Sequence, residues 1–157
     1  MYKQGFTLIE LLVVVMIVGV LTSIALPQYR KALDRSKAAE AMQMLPALFE
    51  ARERWRILNH YTWNNGSMGE TPTLRALDIE ASGLSDDWKT KNFTYTIVAP
   101  GSGIDQACVK AVPRWGSNRN LTSAAIWYRG DKFSCNGNDA ACDILNVADS
   151  SHRTGCQ

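Results

Sequence analysis

At 157 residues with a formal net charge of +2, the chain has the length of one ordinary domain. Its overall balance is too close to neutral to argue for nucleic acid or an anionic surface as the main partner. The hydrophobic share of 46% is near the globular average, yet it is concentrated in one N-terminal run, which leaves a polar remainder rich in Asn, Ser, Thr and Gly and therefore a modest core.

The first residues, Met1-Tyr2-Lys3-Gln4-Gly5, form a short polar leader with one lysine. From Phe6 to Leu26 the chain is then almost wholly apolar. A bilayer core of about 30 Å needs roughly 20 apolar residues in a helix, so this run is long enough to span. An ordinary secretory signal has a shorter apolar core followed by a small-residue cleavage site; here the run meets Leu26-Pro27-Gln28-Tyr29 instead. Inside it sits one carboxylate, Glu10. A lone charge in hydrocarbon costs roughly 2.5 kcal/mol or more, so Glu10 needs a partner.

The stretch Lys3-Gln4-Gly5-Phe6-Thr7-Leu8-Ile9-Glu10-Leu11-Leu12 resembles the class III signal of type IV prepilins and of the pseudopilins of type II secretion. The resemblance implies that a membrane-embedded prepilin peptidase cuts between Gly5 and Phe6 on the cytoplasmic side and methylates the new amine of Phe6, while the apolar helix is retained. It implies a role for Glu10 in assembly: its carboxylate pairs with the cationic amine of a neighbouring subunit, so that two groups costly to bury apart compensate each other. Gly5, lacking a Cβ, would let the backbone lie close to a protease site. Residues 1–5 are thus expected as leader, 6–28 as transmembrane and assembly helix, and 29–157 as a periplasmic or extracellular globular domain.

Helical periodicity resumes beyond Pro27. Ala38, Ala41, Met42, Leu45, Leu48, Phe49 and Trp55 step by three or four, with charged residues on most other faces. The spacing predicts an amphipathic helix over 29–58 that buries one stripe against a sheet, with bends or weak points at Pro27 and Pro46. Gly19, Thr22, Ser23 and Ala25 fit close helix approach or local melting near Pro27, and equally fit ordinary membrane-helix composition. Turn formers from Asn59 to Ser67 end the helix, and short helical pieces are expected at Thr73 to Leu77 and Ile79 to Leu84. His60 has no second ligand or base close in sequence and reads as structural or solvent-facing.

Three or four antiparallel strands follow. Asn92 to Val98 alternates, with Phe93, Tyr95 and Ile97 on one face; Ala107 to Val112 is a second strand; Ala124 to Tyr128 and Lys132 to Cys135 form a hairpin across Arg129-Gly130-Asp131. That tripeptide spells an integrin-recognition motif, but Gly-Asp is a common hairpin turn. The sequons at Asn65, Asn92 and Asn120 arise readily by chance in such a composition. A turn of helix is expected at Ala140 to Asn146.

The four cysteines, all in the last third, favour disulfides in an oxidising compartment. Three connectivities are possible; the favoured one joins Cys135 to Cys142 across a short loop and Cys108 to Cys156, tying the end of the chain to the sheet. A zinc site competes poorly, because no C-x-x-C occurs and His152 is a weak fourth ligand. Asn136, Asn138, Asp139 and Asp143 offer oxygen ligands of the kind that bind Ca²⁺ in the C-terminal loop of major pseudopilins, although a polar loop is the simpler reading; no metal or other cofactor is expected.

The chain has no G-x-S-x-G, phosphate loop or H-E-x-x-H, so no enzyme is expected. The fold class expected is α+β: a long N-terminal helix, with a membrane half and an amphipathic half, packed on a small antiparallel sheet and followed by a disulfide-bonded C-terminal loop. The resemblance implies the structural subunit of a type IV pilus, a homo-oligomeric helical filament. Its partners would be the prepilin peptidase, the pilus or type II secretion assembly machinery and the inner membrane before assembly, with no nucleic acid. Paired cysteines near the C-terminus favour a pilus subunit over a type II secretion pseudopilin. A membrane-anchored binding module that never polymerises is the alternative from another class. Lys3 precedes the helix while Arg30, Lys31, Arg35 and Lys37 follow it, so the positive-inside count alone would place the C-terminal part in the cytoplasm. The resemblance and the cysteines imply a periplasmic domain and, after assembly, a cell-surface pilus.

Overall fold

The computed structural model describes residues 5–59, 72–79, 84–85, 87–98, 108–115, 121, 124–137 and 139–147. The chain divides into two compact units, Met1–Asp34 and Arg35–Gln157. One helix, α1 (Leu8–Leu58), runs through both. Its assignment is unbroken at Pro27 and at Pro46, the two positions where proline predicts a bend or weak point. A proline removes one N–H from the hydrogen-bond ladder, but the bonds on either side can carry the helix on. At Pro46 the fully buried Leu45 and Leu48 add packing that holds it.

From residue 8 to residue 33 α1 has no buried face. Its apolar side chains are exposed all round, from Leu8 at 88% to Leu26 at 45%, and no part of its most apolar 18-residue window is buried. A helix that is hydrophobic on every side is suited to lipid or to the centre of a larger assembly. Its two aliphatic hydroxyls are satisfied within the helix: Thr22 Oγ1 donates to the Val18 carbonyl and Ser23 Oγ to the Val20 carbonyl, both at 2.7 Å.

The second unit builds its core between the later part of α1 and a four-stranded antiparallel sheet. The strands are β1 (Phe93–Val98), β2 (Cys108–Pro113), β3 (Ala125–Tyr128) and β4 (Phe133–Asn136), paired in the order β1-β2-β3-β4. Their positions agree with the alternation in the sequence, with boundaries shifted by about a residue, as is usual for strand ends. Register aligns Tyr95, Ala111, Ile126 and Cys135 in one row across the sheet, and all four are buried. The next row, Thr96, Lys110, Trp127 and Ser134, lies on the opposite face, as the two-residue period of a strand requires.

The stripe predicted on α1 is the stripe that is buried. Ala38, Ala41, Leu45 and Leu48 are enclosed, and Met42, Phe49 and Trp55 pack partly against the same core. Ala51 and Arg52 join them, which hydrophobic periodicity alone does not indicate. Arg52 is 1% exposed; its guanidinium donates to Glu53 and lies 5.7 Å from the centre of the Phe49 ring. Burial lowers its pKa, and the Glu53 carboxylate opposes that shift.

The β3–β4 turn requires a glycine twice over. Gly130 has φ 97°, in the left-handed region, and a Cβ there would lie 2.8 Å from the Phe49 ring. Arg129-Gly130-Asp131 is therefore explained as a tight turn seated on α1. Between helix and sheet the described residues include a 3₁₀ turn at Leu74–Ala76, within the piece expected at Thr73 to Leu77; most of the piece expected at Ile79 to Leu84 lies outside the described residues, as does His60.

After β4, the short helix α2 (Asp139–Ile144) overlaps the turn of helix expected at Ala140 to Asn146, starting one residue and ending two residues earlier. It ends with Asn146 at φ 58°, where Val147 N donates to the Cys142 carbonyl and Asn146 N to the Asp143 carbonyl. This is the Schellman arrangement, closed by the residue that tolerates the left-handed conformation best after glycine. The disulfide Cys135–Cys142 joins β4 to α2, with 5.7 Å between Cα atoms. Cys108 is buried and disulfide-bonded; its expected partner, Cys156, lies outside the described residues.

Candidate assembly site

The stretch Gly5 to Glu10 begins non-helical and becomes helical at Leu8. Thr7 is the N-cap. Its Oγ1 accepts from Glu10 N at 3.3 Å, while Thr7 N and Thr7 Oγ1 donate to Glu10 Oε2 at 2.9 and 2.8 Å. This reciprocal pattern is a capping box, satisfying two backbone donors that a helix start would otherwise leave bare. Its sequence signal is Thr7-Leu8-Ile9-Glu10, a T-x-x-E directly before an apolar run. A lone acid in such a run points first to its cost in lipid, and the local capping role is easily missed behind it.

Glu10 is thus occupied by neutral donors of its own chain and remains exposed. No cation meets it among the described residues, and around it Phe6 is 86% and Ile9 71% exposed. Gly5 has nothing within 4 Å of where a Cβ would be. The described fold sets no steric demand for glycine at that position, so any requirement for one must come from something that handles the extended chain.

In the second unit, polar groups reach across long sequence separations. Glu40 on α1 accepts hydrogen bonds from Thr90 Oγ1, from Asn92 Nδ2 at 2.6 Å and from Tyr95 OH at 3.3 Å. Burial, with Glu40 beside it, raises the Tyr95 phenol well above its ordinary value. Because the Asn92 amide is engaged with Glu40, the sequon there is accounted for structurally; those at Asn65 and Asn120 lie outside the described residues. Arg54 grips Asp78 through two bonds of 2.8 and 2.9 Å, which holds the Asp78 carboxyl below its ordinary value. Arg35 pairs with Asp143 at 3.1 Å, so one of the four possible oxygen ligands is engaged with a cation. Asn138 lies outside the described residues, and among those described no three His, Cys, Asp or Glu side chains gather as a metal site would need. None of these long-range pairs is visible in the sequence, since each joins residues from separate elements.

Residues 1–26 match the prokaryotic N-terminal methylation motif. Beyond it, the chain is 31% identical over 142 residues to the type IV major pilin protein PilE1 of Neisseria gonorrhoeae, covering 90% of this chain and 77% of that protein. The chain belongs to the type IV pilin family. A fimbrial protein of a serogroup A Neisseria meningitidis is 41% identical over 137 residues, covering 85% of this pilin and 76% of the relative. The type II secretion system core protein G of Escherichia coli is also similar, 35% identical over 79 residues, but that match covers 48% of the pilin and 54% of core protein G.

Proposed function

We propose that the chain is the structural subunit of a type IV pilus. The observation that carries this reading is the extent of the likeness: relatives named as major pilin or fimbrial protein match along 85–90% of the chain. The bare apolar half of α1 supports it, because a helix exposed on every face is complete only in lipid or among copies of itself.

In this reading residues 1–5 are a leader, 6–28 the membrane and assembly helix, and 29–157 the displayed domain. The prepilin peptidase cuts between Gly5 and Phe6, both exposed in the subunit, and the Phe6 amine is methylated. The subunit waits in the inner membrane with its domain in the periplasm, where Cys135–Cys142 and the proposed Cys108–Cys156 can form, before the assembly machinery adds it to a surface filament. On assembly the Phe6 amine of one subunit meets Glu10 of another. Pairing keeps either charge from being buried alone and sets the axial register between subunits. The role is structural, and no step calls for catalysis by this chain.

Mass spectrometry of filaments sheared from the cell surface tests the reading. A major component beginning at N-methylated Phe6 is expected; filaments lacking the chain, or a chain still carrying residues 1–5, would contradict it. A type II secretion pseudopilin is the second reading, favoured by the likeness to core protein G. It predicts loss of protein secretion, with surface pili intact, when the gene is deleted.

A further inference from the structure

Four acidic side chains among the described residues of the second unit have a basic partner in the same subunit. Glu53 is bonded to Arg52 and Arg56, Asp78 to Arg54, Asp87 to Lys89 and Asp143 to Arg35. Glu50 and Asp131 are exposed, where water screens them. Glu40 differs from both groups. It is half-buried and held by three donors, the Thr90 hydroxyl, the Asn92 amide and the Tyr95 hydroxyl, all of them neutral. Its negative charge is thereby fixed in place with no ion pair among the described residues, and since a carboxylate offers about four acceptor positions, it retains capacity for a further donor.

Arg30 presents the complementary case. It lies on the same helix, is exposed, and has no ion pair or hydrogen bond among the described residues. A guanidinium can meet a carboxylate with its planar fork, and a carboxylate already oriented by other bonds loses little freedom on receiving it. We propose that Glu40 is a second acidic contact of the assembly, receiving the Arg30 guanidinium of another copy of this chain. The proposal rests on the filament reading above. It assigns to the folded half of α1 the function that Glu10 has in the apolar half: a carboxylate prepared within one subunit for a cation supplied by the next.

The test uses cells that assemble the full-length chain. Arg30→Lys keeps the cation and supplies an amine for zero-length carbodiimide coupling. Sheared filaments of this variant are expected to yield a covalent dimer whose cross-linked peptide joins Glu40 to position 30, and no such product when Glu40→Gln is added. Glu40→Gln and Arg30→Gln, each at normal subunit level and protease resistance, should lower filament yield by about two- to five-fold, with the double variant no worse than either single one. Normal Arg30→Lys filaments without the cross-link, or single losses that simply multiply in the double variant, would overturn the Glu40 assignment alone. If the wild-type chain forms no filaments, the filament reading falls and this proposal falls with it.

Discussion

The two halves of α1 share a secondary structure and differ in what makes it necessary. In the apolar half the polar side chains are satisfied by near neighbours in sequence: Glu10 by Thr7, Thr22 by Val18, Ser23 by Val20. No side chain packs into a core, and the surface is left for lipid or other subunits. In the folded half, one stripe is enclosed and the polar groups reach far along the chain, Glu40 to residues 90, 92 and 95 and Arg54 to Asp78. The difference teaches that one element can be finished at one end and unfinished at the other. Substitutions in the apolar half should therefore alter assembly and spare the subunit, whereas those in the folded half should alter the subunit itself.

The largest effect is expected at Glu10. Glu10→Ala should abolish filaments while leaving the amount of membrane-anchored subunit unchanged, since a cation left alone in an apolar interior costs roughly 2.5 kcal/mol or more. Comparing sheared filaments with the membrane fraction checks this; normal filament yield would end the pairing role. In the folded half, Leu45→Ala should lower stability of the detergent-solubilised chain by about 2–5 kcal/mol, read from its denaturant midpoint.

The hairpin seated on Phe49 offers a sharper test. Gly130→Ala combines a left-handed backbone with a clash against the ring, for a loss of about 1–3 kcal/mol. In a Phe49→Ala background the clash disappears while the backbone strain remains, so a double-mutant cycle should show a smaller penalty. An equal penalty in both backgrounds would mean that the ring contact is irrelevant. Removing the short loop closure with Cys135→Ala and Cys142→Ala should cost about 2–3 kcal/mol, a loss that reductant should reproduce in the parent chain only if Cys108 keeps its own bond.

The smallest effect is pH-dependent. The folded-state pKa of Asp78 lies below its ordinary value of 3.8 because Arg54 bonds it. A depressed carboxylate contributes stability that is present above its unfolded pKa and is lost as pH falls through its folded pKa. Asp78→Asn should thus flatten slightly the acid side of the stability profile below about pH 4, and leave neutral pH almost unchanged, because the pair is well exposed. An unchanged acid limb would show that solvent screens the pair completely.

Much of the plan is legible in the order of the residues alone. The apolar run, the stripe Ala38 to Trp55 and the alternation of Phe93, Tyr95 and Ile97 are periodic signals, and each names its own element and face. Cys135 with Cys142 is readable because the two lie close in sequence around a strand end. The capping box at Thr7 and Glu10 is equally local. Three other features are not readable in this way. The passage of α1 through two prolines depends on the bonds and packing around each. The burial of Arg52 beside Phe49 places a charged residue on an otherwise apolar stripe. The engagement of Glu40 by Thr90, Asn92 and Tyr95 joins residues some fifty positions apart.

By itself the sequence determined where the methylation motif lies and that the helix behind it is apolar on all sides, and the roles proposed for Gly5, Phe6 and Glu10 depend on their order along the chain, which is what a sequence records. Only the tertiary structure decided which carboxylates are matched inside the subunit and which are not. That depends on Coulombic and hydrogen-bond contacts across space, which fall off within a few ångströms and are indifferent to sequence separation. Glu10 is read from its neighbours in the chain. Glu40 could be read only from its neighbours in the fold.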